Sequence, residues 1–197
     1  MLTSLPDILL SFPSVLIALS FHEYAHGLVA YKLGDPTPAR SGRLTINPLA
    51  HLDIVGTLML LLFRFGWAKP VPIDPINFKN PRRDIILVAL AGPLMNFILA
   101  VIFAIPLRFG IFGSEVVGKF FFNGLLINLA LMVFNLIPVP PLDGSKILYG
   151  ILPERVVYQL ERFERYGMLL LLFLIVIGTI NNIMYPIVVF FVKMLLL

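Results

Sequence analysis

Three stretches of this chain contain no Asp, Glu, Lys or Arg: Ile85 to Leu107 (23 residues), Phe120 to Leu142 (23) and Gly167 to Val192 (26). A helix needs about 20 apolar residues to cross the hydrocarbon of a bilayer, and helices satisfy their own backbone amides where there is no water. These runs exclude an ordinary soluble domain. Composition agrees, with 59% hydrophobic residues, 13% charged residues and a mean hydropathy of +0.95 over 197 residues. A fourth run, Met1 to Tyr31, is interrupted by Asp7, Glu23 and two histidines. It lacks a basic leading segment and a small-residue cleavage site, so it is expected to be retained as a span.

The expected fold is an all-α polytopic membrane protein, one membrane-embedded domain over residues 1–197 with spans near 7–33, 84–109, 119–138 and 166–192. Three of these form the core, and a C-terminal helix or pair of helices joins them. Ser4 with Pro6 reads as the start of the first helix, and Asn80-Pro81 as the cap and first turn of the second. Three prolines at Pro138, Pro140 and Pro141 end the third. Asn181-Asn182 and Pro186 are expected to interrupt the last. Residues 40–80 are basic and rich in proline, and predict a small β or extended re-entrant region with extended pieces at Arg43 to Asn47 and Lys69 to Ile73. Ile54 to Phe63 has only ten apolar residues, about 15 Å as a helix, too short to span.

The net charge of +4 would suggest nucleic acid for a soluble chain, but here it sits in loops between apolar runs, and the lipid bilayer is the expected partner. Twelve of the 15 lysines and arginines lie in residues 32–84 and 146–165. The positive-inside rule puts both segments in the cytoplasm. The C-terminal half of the first span and the end of the third then meet at similar depth.

Within the first span stands His22-Glu23-Tyr24-Ala25-His26. Residues at i and i+4 share a helix face, so both imidazoles can reach one metal ion, and Glu23 beside them can serve as a general base. Two histidines and a carboxylate in hydrocarbon are expensive, roughly 3 kcal/mol for a charged group, and a bound cation would compensate. The absence of cysteine leaves His, Asp and Glu as ligands. A catalytic zinc keeps three protein ligands, and the third is open between His51 and a carboxylate, of which Asp143 is best placed. The plainer alternatives are a helix cap for Asp143 and a hydrogen-bonded loop residue for His51.

Three segments together resemble the site-2 protease family, the peptidase M50-like intramembrane zinc metalloproteases. They are His22 to His26, Ala91-Gly92-Pro93-Leu94-Met95-Asn96, and Asn135-Leu136-Ile137-Pro138-Val139-Pro140-Pro141-Leu142-Asp143-Gly144. The last two match the family patterns Gly-Pro-x-x-Asn and Asn-x-x-Pro-x-Pro-x-x-Asp-Gly. The resemblance implies one zinc ion per chain held by His22, His26 and Asp143, with Glu23 as general base, and transmembrane proteins as substrates. A multi-pass protein of a prokaryotic cell membrane is expected, with the site toward the cytoplasm by the charge distribution. Family members commonly carry a PDZ or CBS domain, for which 197 residues leave no room, so a compact form is expected.

Asn96 and Asn135 are candidates to donate to an oxyanion or substrate or to support the ligands, against the plainer role of bridging helices. Asn123 and Asn128 read as helix contacts alone. The extended pieces around Leu44 and Val71 are candidates to hold an unwound substrate strand. Two other functions fit a metal site in a membrane: a metal-ion transporter and an inactive protease-like scaffold.

Overall fold

The computed structural model describes residues 5–63 and 66–197; the expected cap at Ser4 lies outside them. Helix α1 spans Leu5–Lys32, followed by the short helices α2 (Thr37–Arg40), α3 (Pro48–His51) and α4 (Ile54–Phe63) and a 3-10 turn at Pro75–Asn77. Then come α5 (Pro81–Arg108), α6 (Glu115–Asn135), α7 (Asp143–Ile151), α8 (Glu154–Glu164), α9 (Gly167–Val176) and α10 (Thr179–Leu196). Among the described residues, α5, α6 and α10 are long and apolar enough to cross a membrane. Helix α1 matches α5 in length, 28 residues, or about 42 Å.

Several helix ends differ from expectation in instructive ways. Pro81 does open α5, but the Asn80 side chain makes no cap; the buried carboxylate of Asp84 instead accepts the Asn80 amide at 3.0 Å. Helix α6 starts four residues before Lys119, where Ser114 Oγ accepts the Val117 amide. The C-terminal run breaks at Gly178, two residues after α9, and Pro186 lies inside α10. Gly178 has φ +80°, a left-handed conformation that glycine adopts freely and that stops a helix.

Helix α1 packs against α5 and α6, which pack against each other, and α10 covers the α5–α6 pair from outside. The core between α5 and α6 consists of Leu99, Ala100, Phe103, Ala104, Leu125, Leu129, Met132 and Val133. In lipid such packing is driven by close contact rather than by release of water, and small residues make it possible. Gly124 of α6 lies under the Phe103 ring so closely that a Cβ there would stand 2.4 Å from it. Phe103 also meets Phe120 and Phe121 edge to face at 5.7 and 6.1 Å.

No strand forms among the described residues, and the β part of the expected fold is not there. One isolated antiparallel bridge joins Leu52 to Ala68. The physical reason lies in the partners that the extended segments find. Pro70 and Pro72 offer no amide. The guanidinium of Arg43 donates to the carbonyls of Lys69 and Pro70, the Val71 amide donates to Glu23, and the Asp74 amide donates to Asp35. Beyond the Lys69 amide, which donates to the His51 carbonyl, side chains occupy the groups that a ladder would need, and residues 69–74 form a strap without regular secondary structure.

Candidate metal centre

His22 and His26 stand one turn apart on the face of α1 turned toward α5, with Nε2 atoms 3.0 Å apart and rings nearly perpendicular at 86°. Asp143, the first residue of α7, brings Oδ2 to 3.2 Å from His22 Nε2 and 3.1 Å from His26 Nε2. All three residues are buried. Two close approaches place the carboxylate. Gly144 sits against the carbonyls of Leu136 and Ile137 with no room for a Cβ, tucking the start of α7 under the end of α6. Gly150 does the same against Ile86, seating α7 on α5. Of the two candidates for a third ligand, Asp143 is the one that stands beside the histidines. His51 is buried in the loop region, where its Nε2 donates to the Thr45 carbonyl at 2.6 Å.

The hydrogen bonds around the rings define their tautomers. His26 Nδ1 lies 2.7 Å from the Val88 carbonyl, which can only accept, so this nitrogen carries the proton. His22 Nδ1 lies 2.6 Å from Asn96 Oδ1, whose amide is oriented by its own donations to Ala18 O at 3.1 Å and Asn128 Oδ1 at 3.0 Å. In the neutral rings both Nε2 atoms are then lone pairs. Together with the carboxylate oxygen they form a buried cluster of three acceptors within 3.2 Å of one another. Only a cation or an added proton reconciles such a group.

The space fits an ion. Gly92 of α5 faces the cluster, and a Cβ there would stand 2.4 Å from His26 Nε2 and 2.6 Å from His22 Nε2. A hydrogen at this position leaves a cradle that a methyl would fill. Two imidazoles and one carboxylate with the remaining side open to a cavity is a donor set that suits zinc, which takes four ligands and keeps one position for reactant in catalytic sites.

Glu23 is half-buried on the wall of the same cavity, whose volume is about 550 Å³, and its Oε2 accepts the Val71 amide at 2.9 Å. The strap carrying Val71 is clamped on either side. Arg43, buried itself, holds the carbonyls of residues 69 and 70; the fully buried Asp35 accepts from the amides of Asp74 and Thr37 and from Asn77 Nδ2 at 2.8, 3.0 and 2.9 Å. Burial pushes the Asp35 carboxyl up, but the hydrogen bonds from Thr37, Asp74 and Asn77 outweigh it and hold the group below its ordinary range. A substrate strand would find no free amide at Val71, since Glu23 already holds it.

The two asparagines separate. Asn135 lines the cavity, with Nδ2 bonded to the Leu131 carbonyl one turn back. Asn96 is fully buried, has both N–H groups committed within the protein, and meets His22. Arg43, Asp35, Gly92 and Asn128 were not singled out as site residues from sequence, and Val71 only as part of a piece expected to hold a substrate strand. Of the first four, only Gly92 carried a signal, as part of the Gly-Pro-x-x-Asn segment. Lys146, one turn after Asp143, also lines the cavity.

Comparison with known proteins bears on this geometry. The model of peptidase family M50 matches residues 111–178, the segment that contains Asp143. The Bacillus subtilis protein named "Putative zinc metalloprotease YwhC" is 39% identical over 181 residues, covering 88% of this chain and 83% of that one. Rip2 of Mycolicibacterium smegmatis, with the same designation, is 27% identical over 187 residues, 89% of this chain and 70% of its own. "Zinc metalloprotease MJ0392" of Methanocaldococcus jannaschii is 28% identical over 148 residues, 75% of this chain and 35% of its own. No solved structure matches. The YwhC likeness extends over most of both sequences, and the chain, a membrane protein by its apolar helices, belongs to peptidase family M50.

Proposed function

We propose that this protein is an intramembrane zinc metalloprotease that hydrolyses peptide bonds in or near transmembrane segments of other proteins, close to the cytoplasmic face. The observation that supports it best is the convergence of two imidazole nitrogens and a carboxylate oxygen, all from buried residues, on a cavity whose wall also carries the half-buried carboxylate of Glu23. In this reading His22, His26 and Asp143 hold one zinc ion per chain. Bound zinc supplies a Lewis acid for the scissile carbonyl and lowers the pKa of a water to about 7.

Glu23 does the proton work. Its Oε2 is fixed by the Val71 amide, and its Oε1, with no protein partner among the described residues, takes a proton from the attacking water and passes it to the leaving amine nitrogen. The strap keeps this carboxylate beside the cluster, as Arg43 and Asp35 keep the strap. A substrate helix hides its amides in its own hydrogen bonds and must unwind locally before its carbonyl can enter the cavity. The apolar lining from Leu19, Val88, Ala89, Leu131 and Phe134 excludes competing water around the opened segment.

The test compares purified native chain with Glu23→Gln for zinc content and for cleavage of a panel of transmembrane substrates. The variant is expected to retain zinc and lose cleavage by about 10²–10⁴-fold, the usual contribution of a general base. Equal zinc in both forms with cleavage by neither would overturn the protease reading in favour of transport or scaffolding. Ion flux into vesicles then separates those two.

A further inference from the structure

The apolar crevice between α5, α6 and α10 has nothing on its walls to say what fills it, and the exposed face of α8 likewise shows no partner. Lys146 is one flexible cation at the cavity mouth. The unpartnered Nδ1 of His51 and Nε of Arg43 are one acceptor and one donor of the loop region, and a water at each would satisfy them. The amides buried between α1, α5 and α6 go further.

An asparagine in a membrane helix ordinarily bridges to a neighbour, and either orientation of its amide serves. Asn96 and Asn128 are both wholly buried and have only one orientation each. Asn128 Nδ2 donates to the Gly124 carbonyl at 2.8 Å within α6, which turns Asn128 Oδ1 toward α5. Asn96 Nδ2 donates to that oxygen and to the Ala18 carbonyl of α1, which turns Asn96 Oδ1 toward His22 Nδ1 at 2.6 Å. Reversing Asn96 would set its oxygen against Ala18 O. Reversing Asn128 would set its oxygen against Gly124 O. Two backbone carbonyls, which cannot change character, thus dictate the direction of every bond in the series.

We propose that Asn128, acting through Asn96, is a positioning residue that holds the proton of His22 on Nδ1 and keeps its Nε2 lone pair aimed at the metal. The inference rests on the metal-centre reading above. His26 needs no such device, because the Val88 carbonyl performs the same task directly. The relay draws on three helices, so correct packing of α1, α5 and α6 is a condition for a competent ligand set. Outer partners of metal-bound histidines characteristically contribute 10–100-fold to metal affinity through tautomer and orientation.

The experiment uses full-length protein in detergent, with Asn96→Leu, Asn128→Leu and Asn128→Ala, and with Asn123→Leu as control. Asn123 also makes a buried-side polar contact between α6 and α1, to Ser11 Oγ at 2.9 Å, but does not lead to His22. Zinc affinity is read by competition with a chromophoric chelator, and tautomers by ¹⁵N NMR of metal-free protein labelled at its three histidines. Asn96→Leu is expected to weaken zinc binding by about 10–100-fold and the Asn128 variants by about 10-fold. In all three the His22 Nδ1–H signature gives way to mixed tautomers while that of His26 is unchanged. Asn123→Leu alters neither readout.

Native affinity and an unchanged His22 signature in Asn96→Leu and either Asn128 variant would overturn the relay. So would a loss in Asn123→Leu equal to that in Asn128→Leu, which would mark a packing effect. Should the native chain bind no zinc, the metal-centre reading falls, yet the metal-free spectra still decide whether the asparagines set the tautomer.

Discussion

Replacing Gly92 by alanine tests whether the space between α1 and α5 belongs to a metal. The added Cβ would lie 2.4 Å from His26 Nε2, 2.5 Å from His22 Cε1 and 2.6 Å from His22 Nε2. Ordinary contact between such atoms is about 3.5 Å, so each ring must retreat by roughly 1 Å. Retreat breaks the bonds from Nδ1 to Asn96 Oδ1 and to the Val88 carbonyl, and it exceeds the ~0.2 Å tolerance of a zinc–ligand distance several times over. At least one ligand is lost. Structural zinc sites with four ligands bind with about 10–16 kcal/mol, or roughly 2.5–4 kcal/mol per ligand, which predicts zinc affinity weaker by about two to three orders of magnitude. The helix itself does not suffer, since alanine is favoured over glycine in a helix interior by about 1 kcal/mol. Zinc competition and thermal unfolding of the same detergent-solubilised samples measure both quantities. A folded Gly92→Ala chain that binds zinc within threefold of native would refute the assignment of this cradle to the ion.

Further outcomes follow from the strap and the helix packing. Asp35→Asn turns one acceptor oxygen into a donor facing either the Asp74 amide or the Thr37 amide and Asn77 Nδ2 together, and is expected to lower stability by about 1.5–3 kcal/mol, read as a shift in unfolding temperature. Because the folded Asp35 carboxyl lies below its unfolded value near 3.8, its contribution is fully present above that pH and disappears as pH falls through the lower folded value. Native and Asp35→Asn unfolding curves should therefore converge only in that acid range; a difference already absent at pH 6 would contradict the account. Arg43→Met removes the donor to the carbonyls of residues 69 and 70, so the strap should become accessible to protease while zinc content is retained. Gly124→Ala, with its Cβ 2.4 Å from Phe103, should cost about 1–3 kcal/mol, and Phe103→Leu in the same chain should recover part of it; strict additivity of the two changes would show that they do not share this contact.

What could be learned from the sequence alone follows from what is local. Charge-free runs report membrane-spanning length because a single residue's transfer preference does not depend on its neighbours in space, and α5, α6 and α10 each overlap one of those runs, with charged residues only near their ends. The i,i+4 spacing of His22 and His26 puts both rings on one face for any helix, and the motif set around Asn96 and Asp143 carried the family. That residues 69–74 form no helix was also legible from Pro70 and Pro72. Their pairing was not, because whether an amide joins a ladder or a carboxylate depends on which side chain arrives opposite it, here Glu23 from 48 residues away.

Tertiary structure decided everything that depends on who meets whom. Asp143 rather than His51 reaches the histidines because Gly144 and Gly150 let α7 settle against α6 and α5. Asn96 turns inward to His22 while Asn135 faces the cavity, although both are amides in apolar helices, because each takes the direction that its neighbours' carbonyls allow. Asn128 looked like a simple helix contact for the same reason: its role lies in the order of donors and acceptors along a series crossing three helices. Periodicity specifies which face a residue occupies. Only close packing, here through glycine and alanine at the helix crossings, specifies which atom stands within 3 Å of it.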